Sequence, residues 1–427
     1  MRKTITTIQI LFVIFYSLYL SRCRELGGHK ISNLSSYSLL GLSLLTFLVI
    51  IKNIKKTKLT LGDCIFSFYV LASFVFSLIS KYPTHSINLL KKYLPVQLAI
   101  YICIRYVLSN LNLKRQIFLW WASLFFASYS PFLIKTNWIK PVGVFSYANV
   151  YANFAMIFII LTLSLSFNYP FLLITLIAPS YGMVKCSSRM SLIALFCSIT
   201  AAIIAIGITN LNRKRLSAIF AAYITFATFL GLMILKTPKV KAELSRLTKI
   251  QEDKSAQIRL KIAKLCVDLF AERPLIGWGY GRTTRMMLKD PQMLPRIRKY
   301  LGWMTKNFYE GRCHNALLEL SVQAGIWGLI IAVLIHIYPL LLLVFLIKEL
   351  KKGDIKSNFT EVILLTTPII AMLALSINML TEILLFSKKG LLLFSCMAFS
   401  ANVEELLKSK SSESPSSPPP TSSSAPD

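Results

Sequence analysis

Residues 324–347 contain no aspartate, glutamate, lysine or arginine. A run of about 20 apolar residues, wound as an α-helix, crosses the roughly 30 Å hydrocarbon core of a bilayer with its backbone polar groups satisfied internally. Similar runs recur, centred in 5–21, 35–51, 63–80, 93–109, 116–134, 144–168, 169–184, 190–209, 216–235, 360–379 and 389–402. With 55% hydrophobic residues and a mean hydropathy of +0.60, too few polar side chains remain to coat a soluble globule of 427 residues. The expectation is an all-α polytopic membrane protein with about 12 transmembrane helices. Only Asn168-Tyr169-Pro170 separates the sixth and seventh runs, and the seventh holds Pro179 and Gly182. Merging or re-entry therefore stays open there.

Residues 1–23 have the basic start and apolar middle of a signal peptide but no small-residue cleavage site, and are read as a retained first span. Lysine and arginine in short loops mark the cytoplasmic side. The loops at 52–58, 112–116, 212–217 and 348–356 are rich in them and alternate with poorer ones, which places both termini inside. The chain then divides into spans 1 to 9 (1–235), one large periplasmic loop (236–314), spans 10 to 12 (315–405) and a Ser/Pro-rich disordered cytoplasmic tail (406–427). Eight cysteines are scattered without a C-x-x-C pair, so neither a zinc site nor a thioredoxin-like motif is supported. Cys266 and Cys313 can pair if their loop faces an oxidising compartment; unpaired cysteines are the simpler reading.

The formal net charge of +30 does not indicate nucleic-acid binding, because much of it is loop lysine explained by topology and anionic lipid. The large loop is different. It carries 18 basic against 7 acidic residues, although long translocated segments escape the topology rule. An anionic ligand and a solvated face near headgroups both explain that excess. Within the loop, Ile258, Ile262, Leu265 and Leu269 recur at helical spacing, and the helix ends at Pro274. Gly277, Gly279 and Gly281 then alternate as a tight connector able to expose backbone amides to a ligand. No strand precedes them, so this is not a dinucleotide fingerprint. Trp278 and Tyr280 suit stacking on sugar rings or anchoring at the interface.

Three further features face the same side. Arg189 opens the eighth run, where a guanidinium is either paired, functional or snorkelling. Asn149 and Asn153 share one helical face, which suits interhelical hydrogen bonding. His314 begins the tenth span. Glu319 and Glu382, at span ends, either orient basic groups or fix helix packing.

The order GVFSYANVYANF, CSSRMSL, IRLKIAKLCVDLFAERPLIGWGYG and CHNALLELSVQAGIWGLI resembles the O-antigen ligase and polymerase superfamily of bacterial envelopes. The segments Pro274 to Gly281 and His314 to Leu329 carry most of that resemblance. It implies a GT-C-like membrane glycosyltransferase of the inner membrane with its active site facing the periplasm. The donor is a glycan on undecaprenyl pyrophosphate, and the acceptor a sugar hydroxyl of lipid A-core. The family's functional positions fall on His314 as catalytic residue and on Arg189 and Arg259 as pyrophosphate-binding residues, with Lys261, Lys264 and Arg273 as close alternatives to Arg259. Gly277, Gly279, Gly281, Arg282 and Asn315 form the supporting loop. No cofactor and no metal are expected, since guanidinium groups can neutralise a leaving diphosphate. An imidazole with an ordinary pKa near ~6.5 is mostly neutral at pH 7 and suits a base for the acceptor hydroxyl; donating a hydrogen bond to the pyrophosphate is the rival role. Direct displacement inverts the anomeric centre. O-antigen polymerase and protein O-oligosaccharyltransferase share this donor chemistry and stay open. A transporter of an anionic solute or lipid is the alternative of another class, although such proteins gather polar groups near the bilayer midplane.

Overall fold

The computed structural model describes residue 41 and residues 58–133, 148–186, 188–208, 213–236, 254–280, 287–302, 313–352, 358–381 and 388–412. The runs at 5–21 and 35–51, Gly281, Arg282, Glu382 and most of the C-terminal tail lie outside them. Among the described residues the fold is helical without strands. The helices are α1 (Leu61–Leu78), α2 (Pro83–Ile102), α3 (Leu113–Leu133), α4 (Ala148–Ser166), α5 (Ile177–Lys185), α6 (Arg189–Ile208), α7 (Arg213–Leu235), α8 (Lys254–Glu272), α9 (Met293–Leu301), α10 (Ala316–Lys352), α11 (Phe359–Met379) and α12 (Lys388–Ser412). Seven of the described helices are long and apolar enough to cross a membrane. The run at 169–184 is not a full α-helix. It is a 3₁₀ stretch, Pro170–Leu176, followed by the nine-residue α5. At rises of about 2.0 Å and 1.5 Å per residue the two together reach roughly 27 Å, nearly a bilayer core. The 3₁₀ turn lengthens a segment too short to cross as an α-helix.

The bundle's two ends are fixed by different polar groups. At one end, Arg105 sits fully buried on a π-helical turn, Cys103–Val107, that ends α2. Its guanidinium donates to Asp63 at 3.0 Å, Asn402 at 3.1 Å and Glu405 at 2.5 Å. Glu404 accepts from the Leu61 amide at the start of α1 and from the Tyr338 hydroxyl. α1, α2, α10 and α12 are thereby tied together, with buried charge balanced by paired charge. α12 also continues to Ser412, so residues 406–412, assigned above to the disordered tail, are helical. Leu407 is buried there, and Lys408 bonds Glu404 while Lys410 bonds Glu361.

The opposite end carries the loop. Lys81, in the connection between α1 and α2, forms an ion pair with Asp290 at 2.9 Å, and the Tyr82 hydroxyl donates to the same carboxylate at 2.8 Å. These hydrogen bonds hold the Asp290 carboxyl down at about 2. Ile262, Leu265 and Leu269 of α8 and Met293, Ile297 and Leu301 of α9 close a second small core with Trp278 and Val322. The periodicity seen in the sequence is thus the buried face of α8.

Candidate active site

α10 is 37 residues long, about 55 Å, and far exceeds a bilayer core. It breaks at Ala324 (φ −127°, ψ 17°) and Gly325 (φ 62°, ψ −142°). The break frees helix carbonyls, and the glycine loop takes them. The amide of Trp278 donates to Val322 O at 2.8 Å, that of Gly279 to Gln323 O at 2.9 Å, and that of Ile326 to Pro274 O at 2.6 Å. The Gly277 amide donates to Arg273 O at 2.9 Å. Amides 277 to 279 are therefore spent on the protein, contrary to the expectation that this connector offers them to a ligand. Gly277 has φ +62°, and a Cβ there would sit 2.4 Å from the Gln323 carbonyl. Only glycine allows this approach in a left-handed conformation. Gly277→Ala is expected to cost on the order of 1–2 kcal/mol from backbone strain alone, with more from undocking the loop, and thermal unfolding of the purified protein in detergent checks it.

The two aromatics of the loop are not a sugar platform either. Trp278 and Tyr280 are each 3% exposed. The Trp278 Nε1 donates to Leu269 O, and the Tyr280 hydroxyl lies 3.2 Å from that of Tyr69. They anchor the loop rather than face a ligand or the lipid interface.

His314 is locked from both sides. Cys313 before it forms a disulfide with Cys266 of α8, which overturns the reading of unpaired cysteines. The Cys313 amide donates to the buried Glu319 carboxylate at 3.1 Å, whose other oxygen accepts from Gln323 Nε2 at 2.7 Å. Glu319 thus fixes backbone around His314. Asn315 after it caps α10, accepting from the Leu318 amide at 3.2 Å, and its Nδ2 donates to Leu380 O at 2.9 Å, where α11 ends. His314 itself has φ +51°, the one non-glycine residue with positive φ among the described residues. Such outliers persist where surrounding contacts over-determine the backbone. Arg259 lies on α8 two turns before Cys266, about 10 Å along the helix axis. The disulfide therefore joins the helix of Arg259 to the residue preceding His314.

Arg189, half-buried, is the first residue of α6. Two residues on, the Ser191 hydroxyl donates to Asn153 Oδ1 at 3.3 Å and accepts from Asn378 Nδ2 at 2.9 Å. Asn153 does bond between helices, as its position on α4 suggested. This polar cluster joins α4, α6 and α11 at the end where Asn315 meets Leu380. Arg189 and His314 thus lie toward the same end of the bundle, where Ser191 bonds Asn378 near the end of α11 and Asn315 bonds Leu380 O two residues on. Ser191 lies in the CSSRMSL segment but Asn378 lies in none of the quoted segments, and their separation of 187 residues hides the contact from the sequence.

The described part of the loop, 254–280 and 287–302, holds nine lysines and arginines against three acids. Each of those acids has a partner: Asp268 with Tyr300, Glu272 with Arg296 and Asp290 with Lys81. Among the described residues no three His, Cys, Asp or Glu side chains are grouped to hold a metal ion. The described part of the loop is cationic and is joined by a disulfide to the residue before His314, a composition that suits binding an anion.

No curated protein matches the chain. The family model described as O-antigen ligase matches residues 171–333. That stretch runs from the 3₁₀ lead-in of α5 through Arg189, α8, the glycine loop and His314 to just beyond the break in α10. Over residues 171–333 the chain is therefore similar to the O-antigen ligase family, the likeness its motif order suggested.

Proposed function

We propose that the chain is an inner-membrane glycosyltransferase that moves an O-antigen glycan from undecaprenyl pyrophosphate to a sugar hydroxyl of lipid A-core. The observation that carries this reading is the bracing of His314. Residues that the family match spans fix it against α8 through the disulfide and against α11 through Asn315. A disulfide at the loop end also supports a periplasmic position for the site, since such bonds persist in oxidising compartments.

In this mechanism the acceptor hydroxyl oxygen attacks the anomeric carbon while the bond from that carbon to the diphosphate oxygen breaks. The hydroxyl proton passes to the His314 imidazole, and the electron pair leaves with undecaprenyl pyrophosphate. Arg189 and Arg259 neutralise the charge that grows on the diphosphate, an interaction stronger in the transition state than in the ground state. One displacement inverts the anomeric centre. The partners are the lipid-linked donor, the lipid A-core acceptor and the surrounding membrane lipids.

Expression in strains lacking either O-antigen ligase or O-antigen polymerase tests the assignment by lipopolysaccharide gels. Restored attachment of preformed polymer to core supports ligation; restored chain elongation alone replaces ligase with polymerase. In membranes, EDTA is expected to leave transfer unchanged, because cationic side chains take the place of a metal. Loss of transfer on chelation, restored by a divalent cation, would contradict that.

A further inference from the structure

The tip of the glycine loop leaves three large apolar side chains uncovered beside the break in α10. Leu275 is 68% exposed, Ile276 39% and Trp327 45%. They are neighbours, because Ile326 donates to Pro274 O, and a Cβ on Gly325 would lie 2.7 Å from the Leu275 carbonyl carbon. Their depth follows from the helix. About 20 residues cross the hydrocarbon core, and counting that many back from Lys348, the first basic residue after the break, reaches Gly328. The break and the loop tip docked on it therefore sit at the far interface. Trp327 has the place typical of an interfacial tryptophan. Two cations lie beside Trp278, next to the tip, one of them Lys81, which also pairs with Asp290. The Arg273 guanidinium lies 4.9 Å from the Trp278 ring and the Lys81 ammonium 5.4 Å from it.

We propose that the Pro274–Ile276 turn is a membrane-inserted tip, with Leu275 and Ile276 among the outer-leaflet acyl chains and Arg273 and Lys81 at the level of lipid phosphates. The partner is bilayer phospholipid. Two arguments select it: the patch is continuous with the lipid-facing surface of α10, and cations stand beside apolar side chains at the depth where phosphates stand beside chains. The inference does not depend on the reaction proposed above. It explains why the loop is fastened at the break rather than above it, since insertion holds α8 and Arg259 close to the membrane.

The test is spin labelling of Leu275→Cys in full-length protein whose cysteines other than Cys266 and Cys313 are serine, reconstituted in vesicles of phosphatidylethanolamine and phosphatidylglycerol. A label at exposed Gln292→Cys on the same loop serves as the aqueous reference. At position 275 relaxation by oxygen is expected to exceed that by a water-soluble nickel chelate, with the order reversed at 292. A label at 275 relaxed mainly by the nickel chelate overturns the proposal. So does one reached by neither reagent, which means a protein surface covers the tip. Should labelling impair folding, Leu275→Trp provides a second readout. Its added fluorescence is expected to be quenched by bromine on lipid acyl chains, and quenching by aqueous iodide alone would refute insertion.

Discussion

Replacing His314 with glutamine is expected to lower glycan transfer by about 10²- to 10⁴-fold, the usual range for losing a positioned general base. Glutamine keeps hydrogen-bonding capacity and removes the proton acceptor, so the variant separates the base from the rival role of a donor to pyrophosphate. If the imidazole only donates a hydrogen bond, His314→Gln should retain most activity. The surrounding bonds come from the backbone and side chains of Cys313, Asn315 and Glu319, so the fold should survive. Melting temperature and elution volume of the purified variant check that. Arg189→Ala is the companion measurement. An interaction made only in the transition state lowers kcat, whereas uniform donor binding raises KM.

The second large effect concerns the Cys266–Cys313 bridge. It closes a loop with a sequence separation of 47, for which the chain-entropy account gives roughly 4 kcal/mol of stabilisation against the unfolded chain. Part of that acts locally, because the bridge joins α8 to the residue before a histidine held at positive φ. Cys313→Ser is expected to lower transfer at least tenfold through mobility of His314 and misplacement of Arg259, since small misplacements at a reacting site can cost about 10²-fold. Bundle helicity by circular dichroism should be nearly unchanged, as the bundle has its own contacts at the Arg105 end. Treatment of the native protein with reductant should reproduce the loss, and reoxidation should restore it. If the serine variant transfers glycan at the native rate, the bridge plays no part in positioning the site.

The helical membrane class was legible because long uncharged runs leave a chain few alternatives. The described spans appear where the runs are, and the 169–184 run, flagged by Pro179 and Gly182, is the one with an irregular start. The α8 stripe and the interhelical role of Asn153 were also readable, since both depend on local periodicity. What the sequence concealed depends on distance. Cys266 and Cys313 stood out as a pair that an oxidising compartment allows, but no motif favoured that pairing over free thiols, so the meeting of α8 with the start of α10 stayed undecided. The glycines of 277 to 279 signalled a special backbone, but not whether their amides faced a ligand or carbonyls freed by a distant helix break. Trp278 looked like a surface aromatic because its covering partners, Leu269 and Val322, lie on two other elements. Glu319, ambiguous as a span-end carboxylate, becomes a brace once the Cys313 amide is seen pointing at it.

The most direct test is transfer by the purified protein in proteoliposomes, supplied with a glycan on undecaprenyl pyrophosphate and a lipid A-core acceptor and without divalent metal. The expected result is one released undecaprenyl pyrophosphate per glycan joined, with an inverted linkage and loss of turnover in His314→Gln. An unconsumed donor, or full turnover without the imidazole, would contradict the account.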